Sequence, residues 1–247
     1  MPELSALGWA VLVLGAAVIG LSKAALPGAG TVAVALFAAV LPAKESTGTI
    51  LLLLIVGDVF ALISYRRHAD WRTIVRLAPA VVVGLVIGAV FLGFASDVVV
   101  RVTIGVLLLL VVGITLWRRR AVAAVVAEPS RVAAGLYGSV GGFTTMVANA
   151  AGPVMSMYFL AARFPVQAFL GTSAWFFAIV NVAKLPFSIG LGLIGPGGLL
   201  IDLVLAPVVI AAAFVGRAIA RRIDQRLFER IVIVLTVAGS LYLLLPR

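Results

Sequence analysis

Ten apolar stretches run almost end to end through this chain, and they constrain its fold more than any other feature. They lie near 4–22, 29–41, 46–65, 77–95, 98–117, 132–149, 152–164, 168–189, 199–216 and 228–245. Most are long enough for a helix to cross the hydrocarbon core of a bilayer, which takes about 20 residues. Their apolar residues are continuous rather than alternating, which favours helices over a transmembrane barrel. With 64% hydrophobic and only 11% charged residues, the chain cannot cover a soluble surface. We therefore predict an all-α integral membrane protein of 8–10 helices.

Two of the stretches are too short for a full crossing. Segments 29–41 and 152–164 have 13 residues each, and a helix rises only about 1.5 Å per residue. A break precedes each of them, at 23–30 and at 149–153. We expect short or broken helices that meet near the midplane. Whether 1–41 and 132–164 span fully or form re-entrant hairpins stays open.

The basic residues predict the orientation. Of the 19 lysines and arginines, 14 lie in loop 66–76, loop 118–131, segment 217–230 and at Arg163. One orientation of the chain puts all of them in the cytoplasm, as the positive-inside rule requires. Both termini then lie outside, and the protein is a multi-pass protein of the plasma membrane. The net charge of +10 thus reflects membrane topology and not a nucleic-acid partner.

The two halves of the chain, 1–125 and 126–247, have the features of an inverted repeat. An offset of 123 residues aligns Pro42 with Pro165, Gly48 with Gly171, Thr49 with Thr172, and Asp58 with Asn181. Loop 66–76 is rich in arginine while its counterpart 190–198 is uncharged. Because the basic side swaps between the halves, we predict two repeats of about five helical segments each, in opposite orientation. Many secondary transporters have this architecture, with the substrate site where the repeats meet.

Several motifs resemble those of the sulfite exporter TauE/SafE family. They are "GLSKAALPGAG", its second copy "GFTTMVANAAGPVMSMYFL", "GTSAWFFAIVNVAKLP", and the basic stretch "GRAIARRIDQRLFERIVIV" near the end. The resemblance covers essentially the whole chain. It implies a transporter for sulfite, sulfonates or other small organic or sulfur-containing anions.

Residues at the two breaks are the first candidates for an anion site. Gly28 and Gly30 lie where the first short segment opens, and Asn149 and Gly152 lie where the second opens. The free N–H groups at the start of a helix bind anions, so two such starts would form a cradle. Lys23, at the first break, either holds the anion or extends to the membrane surface.

Polar residues inside the later spans complete the candidate site. Asp58 is a candidate to carry a coupling proton, because burial disfavours the charged form of a carboxyl. The alternative is a structural ion pair or a hydrogen bond that locks helices together. Asn181 and Lys184 are candidates for substrate binding, although Lys184 could instead neutralise Asp58. Further candidate hydrogen-bond donors to an anion are Thr49, Thr172 and Ser173. These threonines could equally bond their own helix backbone.

The sequence also argues against other classes of protein. It contains no cysteine, and we predict no metal site and no cofactor. A nucleotide-binding glycine motif is missing, so we expect transport driven by a gradient rather than by ATP. A passive anion channel is the main alternative, and an intramembrane enzyme is a weaker one because catalytic groups are not clustered. Faces of small residues leave a homodimer open.

Overall fold

The computed structural model describes residues 4–24, 29–120, 130–219 and 225–245, which form ten α-helices and no strand. The helices are α1 (Ala6–Ala24), α2 (Gly30–Val40), α3 (Ala43–Tyr65), α4 (Trp71–Phe94), α5 (Asp97–Arg120), α6 (Arg131–Ala148), α7 (Ala151–Ala161), α8 (Val166–Gly190), α9 (Pro196–Ile219) and α10 (Gln225–Leu244). The predicted all-α fold with 8–10 helices is confirmed. Within the described part, α1, α3, α4, α5, α8 and α9 are long and apolar enough to cross a membrane.

Large apolar side chains cover much of the outer surface. Phe94 on α4 is 91% exposed and Leu203 on α9 is 73% exposed. Water would penalise such a surface strongly, whereas lipid chains are its natural solvent. These faces and the six long helices make the chain a multi-pass membrane protein.

The short helices α2 and α7 both contribute side chains to the interior, α2 more than α7. Each has 11 residues, or roughly 16 Å at 1.5 Å per residue, about half of the hydrocarbon core. Neither can cross a bilayer alone, which confirms the prediction of two short helices. Most residues of α2 are buried, as expected for a helix that is apolar on all sides. Each short helix packs against the helix before it, α2 on α1 and α7 on α6.

The prediction of an irregular loop over 66–76 is wrong in its second half. A short 3-10 turn covers Arg66–His68, and α4 already begins at Trp71. The reason is Asp70, whose carboxylate accepts a hydrogen bond of 3.1 Å from the backbone N–H of Thr73. Such a cap satisfies an N–H that the first turn of a helix leaves free.

At two glycines, a helix of one half packs closely against a helix of the other half. A Cβ at Gly20 on α1 would lie 2.3 Å from the carbonyl oxygen of Val209 on α9. A Cβ at Gly142 on α6 would lie 2.2 Å from the carbonyl oxygen of Val81 on α4. Gly20 and Gly142 are the first residues of the similar stretches "GLSKAALPGAG" and "GFTTMVANAAG". Val81 and Val209 each follow an Ala-Pro pair by two residues. The two contacts are therefore counterparts of each other.

A second reciprocal contact lies at the starts of α3 and α8. A Cβ at Gly48 would lie 2.1 Å from the carbonyl oxygen of Leu193, in the loop after α8. A Cβ at Gly171 would lie 2.7 Å from the carbonyl carbon of His68, in the turn after α3. Each start thus packs on the loop that follows the long helix of the other half. This reciprocity supports the predicted repeat, while the opposite orientation of the halves stays a prediction.

We expect Gly142→Ala to destabilise the protein, because its methyl group would overlap the backbone of α4. Overpacking of this kind costs about 1–3 kcal/mol, so the thermal unfolding midpoint in detergent should fall. Gly135→Ala on the same helix is the matched control, since a Cβ there meets nothing within 4 Å. Equal midpoints for the two variants would contradict the close α4–α6 contact.

Candidate functional site

An ion pair between Lys23 and Asp58 lies at the centre of the candidate site. Lys23 is in the last turn of α1, and its ammonium group contacts the Oδ1 atom of Asp58 on α3. The two side chains are only 13% and 3% exposed, respectively. The ammonium group also lies 5.2 Å from the ring centre of Phe177 on α8, within the range of a cation–π contact. Lys23 therefore points into the protein and does not extend to the membrane surface.

Asn181 holds the second oxygen of the same carboxylate. Its side-chain N–H donates a hydrogen bond of 2.7 Å to Oδ2 of Asp58. The two residues are counterparts in the repeat alignment, and they join α3 to α8. Lys23 and Asn181 together give Asp58 a donor on each oxygen, which is the arrangement that stabilises a buried carboxylate.

Asn149 forms the second polar centre, at the end of α6. It is in the left-handed conformation with φ 49° and ψ 29°, which asparagine tolerates better than most residues. Its side-chain N–H donates to the carbonyl oxygen of Thr47 on α3 at 3.0 Å. Its side-chain oxygen accepts a hydrogen bond from Lys184 on α8. Asn149 therefore links three helices and fixes the chain just before α7.

Lys184 does not contact Asp58 and so does not neutralise it directly. It is fully buried, and its ammonium group lies 3.5 Å from the hydroxyl oxygen of Thr145 in addition to its bond with Asn149. The structure thus separates the two lysines, one on each polar centre. Lys23 is the one that pairs with Asp58.

A cavity of about 110 Å³ lies between the two polar centres. It is smaller than the pockets of roughly 300–1,000 Å³ that hold drug-sized ligands, and its size suits a small polyatomic ion. Of the predicted site residues, Lys23, Gly30, Asp58, Asn149, Gly152, Ser173 and Asn181 line it. The structure therefore brings together most of the residues that the sequence singled out.

The starts of both short helices line this cavity. Gly30 opens α2, and Ala150 and Gly152 lie at the start of α7. Neither N-cap residue, Ala29 or Ala150, makes a side-chain hydrogen bond to the first turn of its helix. The first N–H groups of both helices and the positive ends of their dipoles are thus left for a ligand. With Lys23 at the wall, these features favour an anion.

Other predicted site residues lie outside the cavity lining. The hydroxyl of Thr172 accepts a hydrogen bond of 2.9 Å from the backbone N–H of Asp70, so it fastens α8 to the turn before α4. Thr49 is buried beside Gly198 of α9. Lys184 does not line the cavity itself but contacts two residues that do, Asn149 and Thr145. Gly28 lies outside the described residues.

Sequence reasoning missed several polar lining residues. They are Ser22, Thr31, Tyr65, Thr145 and Ser156. Ser22 and Thr31 flank the first break, and Ser156 lies one turn after Gly152 on α7. Helical spacing from the breaks could have found these three residues. Thr145 lies one turn before Asn149, so the same spacing could have found it. Tyr65 gave no such signal, because only the packing of α3 brings it to the cavity.

Comparison with known proteins identifies one family. The model of the family described as Sulfite exporter TauE/SafE matches residues 12–243. The match includes all of the lining residues of the cavity and nearly all of the helices. Searches of curated proteins and of solved structures return no match.

We expect a double-mutant cycle to detect the ion pair. Removal of one partner of a buried pair is strongly destabilising, by about 3–5 kcal/mol, because the other charge stays behind unpaired. Asp58→Ala should therefore lower the unfolding midpoint more than the double variant Lys23→Ala/Asp58→Ala does. Thermal unfolding in detergent, at low and at high salt, measures the midpoint of each variant. Strictly additive effects would show that the two groups do not interact.

Proposed function

Since the chain belongs to the sulfite exporter TauE/SafE family, we propose that it is a secondary transporter that moves a small anion, such as sulfite or a sulfonate, across the cell membrane. The observation that carries this proposal is the small cavity lined by Lys23 and by the uncapped starts of two short helices. These groups supply one full positive charge and two partial ones, against the single carboxylate of Asp58 among the lining residues. An anion restores the balance.

Lys23 is the group through which the anion binds and through which transport is coupled. Its ammonium group faces the cavity while it holds Asp58, so an incoming anion competes with the carboxylate for the same cation. When Lys23 turns to the anion, Asp58 keeps only its hydrogen bond with Asn181. A buried carboxylate with one neutral donor favours proton uptake. Anion and proton then bind together, and Asp58 is the coupling residue.

The cavity extends toward one end of the long helices. Tyr65 lies at the end of α3 and Leu170 lies near the start of α8, and both line the cavity. These helix ends adjoin the turn Arg66–His68 and the arginines of early α4. By the positive-inside rule this is the cytoplasmic end. The conformation then faces the cytoplasm, and rocking of the two repeats about α3 and α8 exposes the same residues to the outside.

We expect Lys23→Gln to weaken anion binding about ten- to a hundredfold, the equivalent of a charge-assisted hydrogen bond of about 1.5–3 kcal/mol. Thermal shift of purified protein with sulfite, sulfate, thiosulfate, short sulfonates and carboxylates measures the binding. Lys44→Gln is the matched control, because Lys44 is a half-buried lysine at the other end of α3 and does not line the cavity. Equal anion binding by the two variants would show that Lys23 does not bind the anion.

Flux into liposomes with the anion found in this way tests the coupling. In the wild type a pH gradient should drive uptake. In Asp58→Asn, which cannot exchange a proton, the anion should still bind but its flux should no longer follow the gradient. Wild-type flux that does not change with any imposed ion gradient would favour a passive channel instead.

A further inference from the structure

Asp202 is a buried acid that the cavity does not use. It lies in α9, six residues after the helix begins, and it is only 8% exposed. No described residue donates a hydrogen bond to either of its carboxyl oxygens. Asp58, by contrast, has a donor on each oxygen. An ionised carboxylate without a partner in a low-dielectric interior is very unfavourable, so this environment suits the neutral acid.

Thr49 on the facing helix α3 is unpartnered in the same way. It is 1% exposed, and its hydroxyl has no hydrogen-bond partner among the described residues. This hydroxyl lies 2.9 Å from the position that a Cβ at Gly198 would take. Gly198 is one turn before Asp202 on the same face of α9. Two unsatisfied buried polar side chains thus lie on opposite sides of the α3–α9 contact.

Charged groups around this contact are few. On the described parts of α1 and α3, which pack against α9, and on α9 itself, the titratable side chains are Lys23, Lys44, Glu45, Asp58, Tyr65, Asp202 and Arg217. Lys23 and Asp58 pair with each other, and Arg217 lies about four turns beyond Asp202. Of these residues, Glu45 is the one placed beside Gly198.

Glu45 lies next to this region, at the starts of α3 and α9. It is half-buried in the first turn of α3, and its Oε1 atom lies 3.6 Å from the position of a Cβ at Gly197. Thr49 follows Glu45 by one turn on the same face of α3. Because Gly197 and Gly198 have no side chain, α9 approaches both residues closely. Polar groups therefore follow one another from the helix starts toward Asp202.

We propose that Asp202 is a proton-binding site separate from the anion cavity, where the neutral acid fills the α3–α9 contact and exchanges its proton with water past Thr49 and Glu45. Loading transfers one proton from water at the helix starts to a carboxylate oxygen, and no other reactant is needed. Loss of the proton puts an uncompensated charge between α3 and α9. The site thus makes this contact respond to the pH at one membrane surface.

Infrared spectroscopy of the full chain in lipid, without any anion substrate, tests the site directly. At neutral pH the wild type should show the carbonyl stretch of a protonated carboxyl, and uniform labelling with carbon-13 aspartate should shift this band. Asp202→Asn should lose it, whereas Asp58→Asn and Asp97→Asn should keep it. Asp97 is a suitable control because backbone N–H groups of Ala43 and Lys44 hold its carboxylate.

Two further measurements test the site: the pH dependence of unfolding and the rate of hydrogen exchange at the carboxyl group. Because the folded wild type binds a proton that the unfolded chain releases near neutral pH, its unfolding midpoint should fall as the pH rises. Asp202→Asn, which imitates the neutral acid, should lose that part of the slope. After transfer to heavy water, the band should shift more slowly in Glu45→Gln than in the wild type.

A band that the aspartate label does not shift, or one that persists in Asp202→Asn, would overturn the site. The label shift needs no variant, so poor folding of Asp202→Asn would leave that test intact. An unchanged exchange rate in Glu45→Gln would overturn the entry route. None of these readouts involves the anion, so they stand or fall independently of the proposed transport function.

Discussion

The need to stabilise one buried carboxylate inside an apolar interior organises this protein around Asp58. Its carboxylate takes the ammonium group of Lys23 on one oxygen and the amide of Asn181 on the other. Those two contacts join α1, α3 and α8 at one point. Because an isolated carboxylate there would be very unfavourable, the three helices have to cross where they do. The position of the cavity beside this crossing follows from it.

The two short helices add a candidate anion-binding site to that crossing. Long helices alone would place their uncapped ends at the membrane surfaces, where water satisfies them. The breaks before α2 and α7 instead bring two helix starts to the wall of an interior cavity. Asn149 makes the second break possible, since its left-handed backbone ends α6 and its side chain ties the turn to α3 and α8. The same residues thus hold the helices together and line the candidate anion site.

Asp58 and Asp202 are two buried acids whose hydrogen-bonding environments differ. Asp58 has donors on both oxygens, so its charge is stable until a competing anion takes Lys23. Asp202 has no described donor, so it suits the neutral form at rest. We propose that the first acid senses substrate and that the second senses pH. They lie on different helices and share no described contact, which allows the two roles to be separated by mutation.

Composition and periodicity by themselves determined that this chain is a helical membrane protein, because apolar length and scarcity of charge leave no other stable arrangement. The two short segments, and the polar residues within apolar spans such as Asp58 and Asn181, were also evident from the sequence. Only the tertiary structure decided that Lys23 rather than Lys184 pairs with Asp58. It also placed Thr172 outside the cavity, and it gave Asp202 no hydrogen-bond partner among the residues it describes. The physical reason is that spacing along a helix tells which face a side chain occupies, whereas its partner depends on which helix packs opposite that face.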